Sequence, residues 1–213
     1  LRDAGFMHEA IINYLSIIGG SFQKEIMSMD EIIAAYKFDH ISSTSQIKYD
    51  VEKLRWVNHK WIASLSPEQL LERCMPSLEK NYDDASRRDK DELLKLVEIV
   101  QSDLVTLNDI VPAVQFFFTK PVVTSEQVSS VKPNAPLEEI SKILVSNLGS
   151  LKDPENFLQT VKAESKKQSI KLSDMMPIIR MILTGSPQGP HIGSVISILG
   201  SSEALSRFQA FFA

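Results

Sequence analysis

No glycine occurs between Ser21 and Leu148; the eight glycines stand at 5, 19, 20, 149, 185, 189, 193 and 200. A parallel nucleotide-binding sheet turns from each strand into the next helix through tight, glycine-dependent loops. The long middle of this chain cannot build one. Helices joined at Asp, Asn, Ser and Pro are the natural alternative, and the apolar pattern agrees. Val51, Leu54, Val57 and Trp61 recur at steps of three and four, as do Leu93, Leu94, Val97, Val100 and Leu104. The expected class is all-α, with short strands conceivable only near Phe38–Ser42 and Val122–Thr124.

The spacing predicts helices over 8–18, 28–37, 46–64, 66–79, 91–104 and 106–118, then 136–148, 153–168, 172–184, 191–199 and 202–212. Ser28 with Glu31 has capping-box spacing. Ser66-Pro67 and Asp153-Pro154 place a cap residue before a proline in the first turn. Residues 82–91 read as a polar break. Val122–Pro136, with Pro121 just before it, reads as an extended linker beside a domain boundary. No repeat of fixed period and no low-complexity tract occurs.

A chain of 213 residues, 43% hydrophobic and 23% charged, has enough apolar mass for a real core. Its longest apolar stretches, Ile11–Ile18 and Val114–Phe118, fall far short of the roughly 20 residues that cross a bilayer. No membrane partner is expected. The net charge of −4 argues against a bulk nucleic-acid binder. The charge is uneven, however. Residues 1–65 hold seven Lys and Arg against eight Asp and Glu, 66–118 hold six against 11, and 119–213 hold ten against eight. The last third is therefore the better place for contact with RNA phosphates, and DNA is not an expected partner.

Chemistry-bearing residues are sparse. His8, His40, His59 and His191 form no His-x-x-x-His pair, and the single cysteine, Cys74, has no cysteine partner. No metal site is expected, because a structural site needs about four convergent ligands. Cys74 lies among Leu70, Leu71 and Leu78, the setting of a packed thiol rather than a nucleophile. One cysteine excludes an internal disulfide, which fits a reducing, cytoplasmic setting. Lys53, Arg55 and Lys60 form a basic set whose plain reading is solvated surface, and the acidic run 83–91 reads as a solvated connection.

The string Ser186-Pro187-Gln188-Gly189-Pro190-His191-Ile192-Gly193 resembles the His-Ile-Gly-type ATP-binding signature of class I aminoacyl-tRNA synthetases. That signature follows the first strand of a Rossmann domain, whereas only about twenty residues follow it here, all of helical pattern. The expected structure is a Gly/Pro loop between helices, a setting that exposes backbone groups for polar contact.

Three other segments carry a broader resemblance. Ala4-Gly5-Phe6-Met7-His8-Glu9-Ala10-Ile11-Ile12-Asn13-Tyr14-Leu15 resembles the Gly-aromatic-x-x-Glu-Ala-x-x-Asn-Tyr-Leu segment of bacterial-type glutamyl-tRNA synthetases. In that family it follows the Lys-Met-Ser-Lys-type catalytic loop. Tyr49-Asp50-x-x-Lys53-Leu54-x-Trp56-x-Asn58 is similar to a helix of the family's stem-contact domain. Arg180-Met181-Ile182-Leu183-Thr184-Gly185, with Gly189-Pro190 and Ile198-Leu199-Gly200, resembles the family's Arg-x-x-Leu-Thr-Gly…Gly-Pro…Leu-Leu-Gly ending. The three occur in the family's order. Between about 66 and 170 the match is mainly in helical pattern.

The resemblance implies an α-helical bundle, the α-helix cage of an anticodon-binding domain, preceded by the end of a stem-contact domain. The expected divisions are 1–65 for the stem-contact end, then 66–118 and 119–213 for two helical parts of the anticodon-binding region. The chain starts at Leu1 rather than Met, and is expected to be the C-terminal piece of an enzyme whose catalytic domain lies outside it. Alone it would be inactive, monomeric and without a cofactor. The parent would join glutamate to tRNA(Glu) using ATP and Mg²⁺, with tRNA(Gln) as a second candidate substrate.

By position, Arg180, Thr184, Gly189, Pro190 and Ile192 match family positions that approach the anticodon; Lys53, Arg55 and Lys60 are lesser candidates, for contact with the tRNA stem backbone at its inner corner. Asp103, in Asp103-Leu104-Val105-Thr106-Leu107, stands where many members carry an arginine that reads the third anticodon base. That departure puts third-base discrimination in doubt. The competing readings are a generic helical protein-interaction module and the similar helical cage of a lysine-specific class I synthetase.

Overall fold

A computed structural model describes residues 1–20, 22, 24–36 and 49–212. Among them the secondary structure is twelve α-helices joined by short 3-10 turns, with no strand. The expectation of an all-α chain holds. The candidate strand at 122–124 is not formed, and that at 38–42 lies outside the described residues, as does His40.

The chain divides into two compact units, Leu1–Arg88 with Gln101–Pro112, and Asp89–Val100 with Ala113–Ala213. The first holds α1 (His8–Gly19), α2 (Met29–Ala35), α3 (Val51–Ala63) and α4 (Pro67–Asn81). The second is built from α5 (Lys90–Val100), most of α6 (Ile110–Phe118), α7 (Ser125–Val131), α8 (Leu137–Asn147), α9 (Pro154–Lys167), α10 (Leu172–Thr184), α11 (Ile192–Leu199) and α12 (Ser201–Phe212).

The caps read from sequence are present. Ser28 and Glu31 form a reciprocal capping box on α2, and Ser66 with Gln69 forms another on α4, where Pro67 takes the first position. Asp153 caps α9 by accepting from the Asn156 amide at 3.1 Å. Several boundaries differ. Asp50 caps α3 by accepting from the Lys53 amide, so this helix starts at Val51 rather than near 46. Predicted helix 91–104 ends at Val100 and closes in a 3-10 turn, Gln101–Asp103.

The extended linker expected over 122–136 contains α7. Thr124 and Gln127 form its capping box, and Val128 fills a core site, a short pattern outweighed in the sequence by the surrounding prolines. Prolines also enter helices: Pro76 lies inside α4 and Pro177 inside α10, each leaving one ladder bond unmade.

In the first unit α1 packs on α3 and α2. Tyr14, Leu54, Val57, Ile62, Leu70, Cys74 and Leu78 are buried. Val51, expected on the buried face of α3, is exposed because it is the first residue of the helix. In the second unit α11 is central and touches α5, α9, α10 and α12. Its Val195 and Ile196, together with Phe157, Ile179, Leu183 and Phe208, are sealed from solvent.

Candidate nucleic-acid interface

The motifs at the start of the chain resolve into buried polar joints. Asn58 is fully buried in α3. Its Oδ1 accepts from the Met7 amide at 2.8 Å, and its Nδ2 donates to the Val105 carbonyl at 2.5 Å. Asn13, equally buried, accepts at Oδ1 from the Met27 amide (3.2 Å) and from Trp61 Nε1 (3.1 Å), and donates to the Glu25 carbonyl. Tyr14 accepts at its hydroxyl from the Asp50 amide at 2.7 Å. Each buried side chain supplies hydrogen bonds to main-chain polar groups, which a hydrophobic residue of the same size could not do.

Lys53 and Lys60 lie three residues before and four after Trp56, so the three share one face of α3. Lys53 Nζ sits 4.2 Å from the centroid of the half-exposed Trp56 ring and Lys60 Nζ 5.9 Å. Lys53 also pairs with Glu25, which offsets part of its charge. Arg55 is exposed on another side of the helix, 4.0 Å from Glu52. Lys60 is thus the least compensated of the three basic residues. Asp103 is exposed at the end of its 3-10 turn.

In the second unit the candidate residues converge on one loop. Helix α10 stops at Gly185, whose φ of 78° is a left-handed C-cap. The Thr184 hydroxyl donates to the Arg180 carbonyl at 2.8 Å and accepts from the Ser186 amide at 3.2 Å, turning the chain out of the helix. The guanidinium of Arg180 lies along the returning segment. Its Nε donates to the Pro190 carbonyl (3.2 Å) and its Nη1 to the Pro187 carbonyl (3.1 Å), while Nη2 has no protein partner among the described residues.

Gln188, Gly189 and His191 are exposed at the tip. Gly189 has a φ of 130°, which a side chain would strain, and a Cβ there would lie 4.0 Å from Arg180 Cδ, an ordinary contact distance. Ile192, by contrast, is 3% exposed and packs as the first residue of α11; it anchors the loop rather than lining its surface.

Arg207, buried and missed by the sequence reading, supports this loop from α12. Its Nη1 donates to the Leu183 carbonyl at 2.5 Å and its Nε to Glu203 at 2.8 Å, so a cation closes the C-terminal end of α10. The available signal was Glu203 and Arg207 at i, i+4 on a helix whose other inward residues are apolar.

The His-Ile-Gly string does not fit a nucleotide. A Cβ built on Gly193 would lie 2.8 Å from a Glu155 carboxylate oxygen, so an anion already occupies the start of α11, where phosphates would have to bind. Burial pushes the Cys74 thiol up to about 12, leaving it protonated and unreactive at neutral pH. No described helix is long and apolar enough to cross a membrane.

Helices and a cation-backed Gly/Pro loop define an all-helical domain with no nucleotide-binding sheet among the described residues. Residues 69–212 match the anticodon binding domain family, and the chain belongs to that family. It is 33% identical over 213 residues to glutamate–tRNA ligase 1 of Pseudothermotoga lettingae, covering 99% of this chain and 44% of that protein. It is 31% identical over 215 residues to the glutamate–tRNA ligase of a Psychrobacter species, covering 98% and 40%.

The crystal structure of a glutamate tRNA ligase from Elizabethkingia meningosepticum superposes with a TM-score of 0.80 at 23% identity, over 98% of this chain and 41% of that one. Glutamate-tRNA synthetase from Elizabethkingia anophelis gives 0.79 at 21%, over 100% and 42%. These two likenesses establish the fold. The chain spans less than half the length of these relatives.

Proposed function

We propose that this chain is the tRNA-gripping portion of a glutamate–tRNA ligase, and that the loop from Arg180 to His191 approaches the anticodon. The observation that carries the reading is the geometry of Arg180 within a matched anticodon binding domain. Two guanidinium donors hold the Gly/Pro loop and Nη2 is left for a phosphate or base edge. Exposed backbone at Gly189 can meet a splayed base, the form in which single-stranded RNA is read. Thr184, Gly189 and Pro190 shape that surface, and Ile192 holds it from below.

The functional division follows RNA contact rather than chain compactness. Residues 1–65 meet the tRNA stem through Lys60, with Lys53 and Arg55 beside it; 66–118 and 119–213 form the two anticodon-side parts. Aminoacylation, with its ATP and Mg²⁺, belongs to the parent enzyme, which acts on tRNA(Glu) in the cytoplasm. This piece alone is a monomer and catalytically silent.

Binding of the chain to a panel of purified tRNAs tests the reading. Preference for tRNA(Glu), or for tRNA(Glu) and tRNA(Gln), is the expected result, and equal weak binding of every tRNA would sink it. Glutamate-dependent ATP–pyrophosphate exchange should stay at background with tRNA present.

A further inference from the structure

We infer that Lys162, Lys166 and Lys171 form a second RNA-backbone contact, separate from the Arg180 loop, on the surface where α9 turns into α10. Lys162 and Lys166 are four apart on α9 and so project side by side. Both line a shallow depression with Ala163, Ser165, Ile170 and Leu172. Lys171, the residue before α10, is exposed and follows Ile170 in the chain at the edge of that depression without lining it.

The turn that assembles the surface is tightly determined. The Ile170 amide donates to the Ser165 carbonyl at 2.8 Å and the Ser169 amide to that of Lys166 at 3.2 Å. This is the paired bonding of a Schellman close, and Ser169 holds the left-handed position, φ 59°, that glycine usually takes.

The charge here is uncompensated. All three lysines are exposed, and none joins an ion pair among the described residues. The only acid between 162 and 171, Glu164, accepts from Asn147 at 3.0 Å on the α8 side, and Asp174 of the next turn is paired with Lys132. Lys120, Lys142 and Arg207 of the same unit have protein partners; Lys90, Lys95, Lys152 and Lys167 are exposed and join no ion pair among the described residues either, so what sets Lys162 and Lys166 apart is that they share one depression. The α9 helix dipole favours a cation at Lys166, in the last turn, but gives Lys162 no such support.

Neighbouring like charges repel, so an unpaired cluster in a chain of net charge −4 points to an anionic partner. The partner chemistry that fits is a phosphodiester strand. Closely spaced ammonium groups bridge successive phosphates, and the half-exposed Leu172 beside them offers apolar contact to a sugar.

This inference rests on the tRNA reading, and the experiment separates the two. Affinity of the full 213-residue chain for tRNA(Glu) is measured across a salt series, for the unaltered protein, for Lys162→Gln/Lys166→Gln/Lys171→Gln, and for a control triple, Lys90→Gln/Lys95→Gln/Lys152→Gln, at three other exposed lysines. The first triple should bind at least tenfold more weakly at low salt. Its log–log salt slope should be shallower by about 2, at about 0.7 for each lost single-strand phosphate contact. The control should change little.

Unchanged affinity and slope in the first triple overturn the lysine surface and leave the tRNA reading standing. An equal loss in both triples overturns it as well, because bulk charge then accounts for the effect. Failure of the unaltered chain to bind tRNA removes both.

Discussion

Arg180 and Pro190 are joined across the recognition loop: the guanidinium Nε donates to the Pro190 carbonyl at 3.2 Å, with a parallel bond from Nη1 to Pro187. The planar guanidinium carries several donors in a fixed fork, which suits it to hold two carbonyls of one loop at once. The residue proposed to approach RNA also fixes the shape of its loop.

Arg180→Ala should therefore act twice. Losing two charge-assisted bonds should lower stability by about 1–3 kcal/mol, read by urea denaturation. Affinity for tRNA(Glu) should fall further than this loosening explains. Arg180→Lys, which keeps the charge but not the fork, should recover little of it. Wild-type affinity in Arg180→Ala would remove this residue from the interface.

Gly5→Ala should be among the most damaging single-methyl changes. Gly5 has φ +79°, and a Cβ there would lie 2.7 Å from the backbone nitrogen of Asn108, while the Gly5 carbonyl accepts from the Leu107 amide at 2.9 Å. Left-handed strain alone costs about 1–2 kcal/mol. With a backbone clash that no rotamer relieves, a total of about 3 kcal/mol or more is expected. Thermal unfolding measures it, and a loss below about 1 kcal/mol would contradict the geometry.

The Glu9–Arg73 pair should make stability depend on acid pH. Arg73 meets Glu9 with two bonds, 2.7 and 3.1 Å, tying α4 to α1. Burial raises the Glu9 carboxyl, but the hydrogen bonds and charge of Arg73 outweigh it, and the net effect lies below the ordinary 4.5. A carboxylate depressed by folding stabilises the fold above its unfolded value. That contribution fades as pH falls from about 4.5 through the lower folded value. The destabilisation caused by Arg73→Ala should thus be largest near neutrality and shrink below pH 4.5, as read by denaturation at several pH values. A pH-independent difference would show that packing of the arginine stem, not charge, is what matters.

Asp103 should read the third anticodon base weakly. It is exposed and, when ionised, offers only acceptors, where a family arginine would offer donors. It could accept from the cytosine amino group, but nearby phosphates would repel it. Affinities for tRNA(Glu) carrying C or G at that base should then agree within about tenfold, roughly 1.4 kcal/mol. A strong preference for C that disappears in Asp103→Ala would make Asp103 a specificity residue instead.

Local information in the chain was enough for much of this. Helical spacing, the absence of glycine from 21 to 148, and cap residues such as Ser28, Ser66 and Asp153 specified an all-helical protein and most of its helix starts, because those signals act within one or two turns. The Arg180–Gly185 motif likewise marked the loop. Tertiary structure decided what short-range signals cannot carry. Asn58 had to meet Met7 and Val105 to become a buried joint, 51 and 47 residues away in sequence. Lys53 acquired Glu25, 28 residues away, which offsets part of its charge, whereas Lys162, Lys166 and Lys171 acquired no acid among the described residues. Val128 found a core position, so α7 formed within a stretch whose prolines read as a linker. Burial and pairing are properties of neighbours in space, and the same lysine or asparagine is surface, joint or ligand according to which of them the fold delivers.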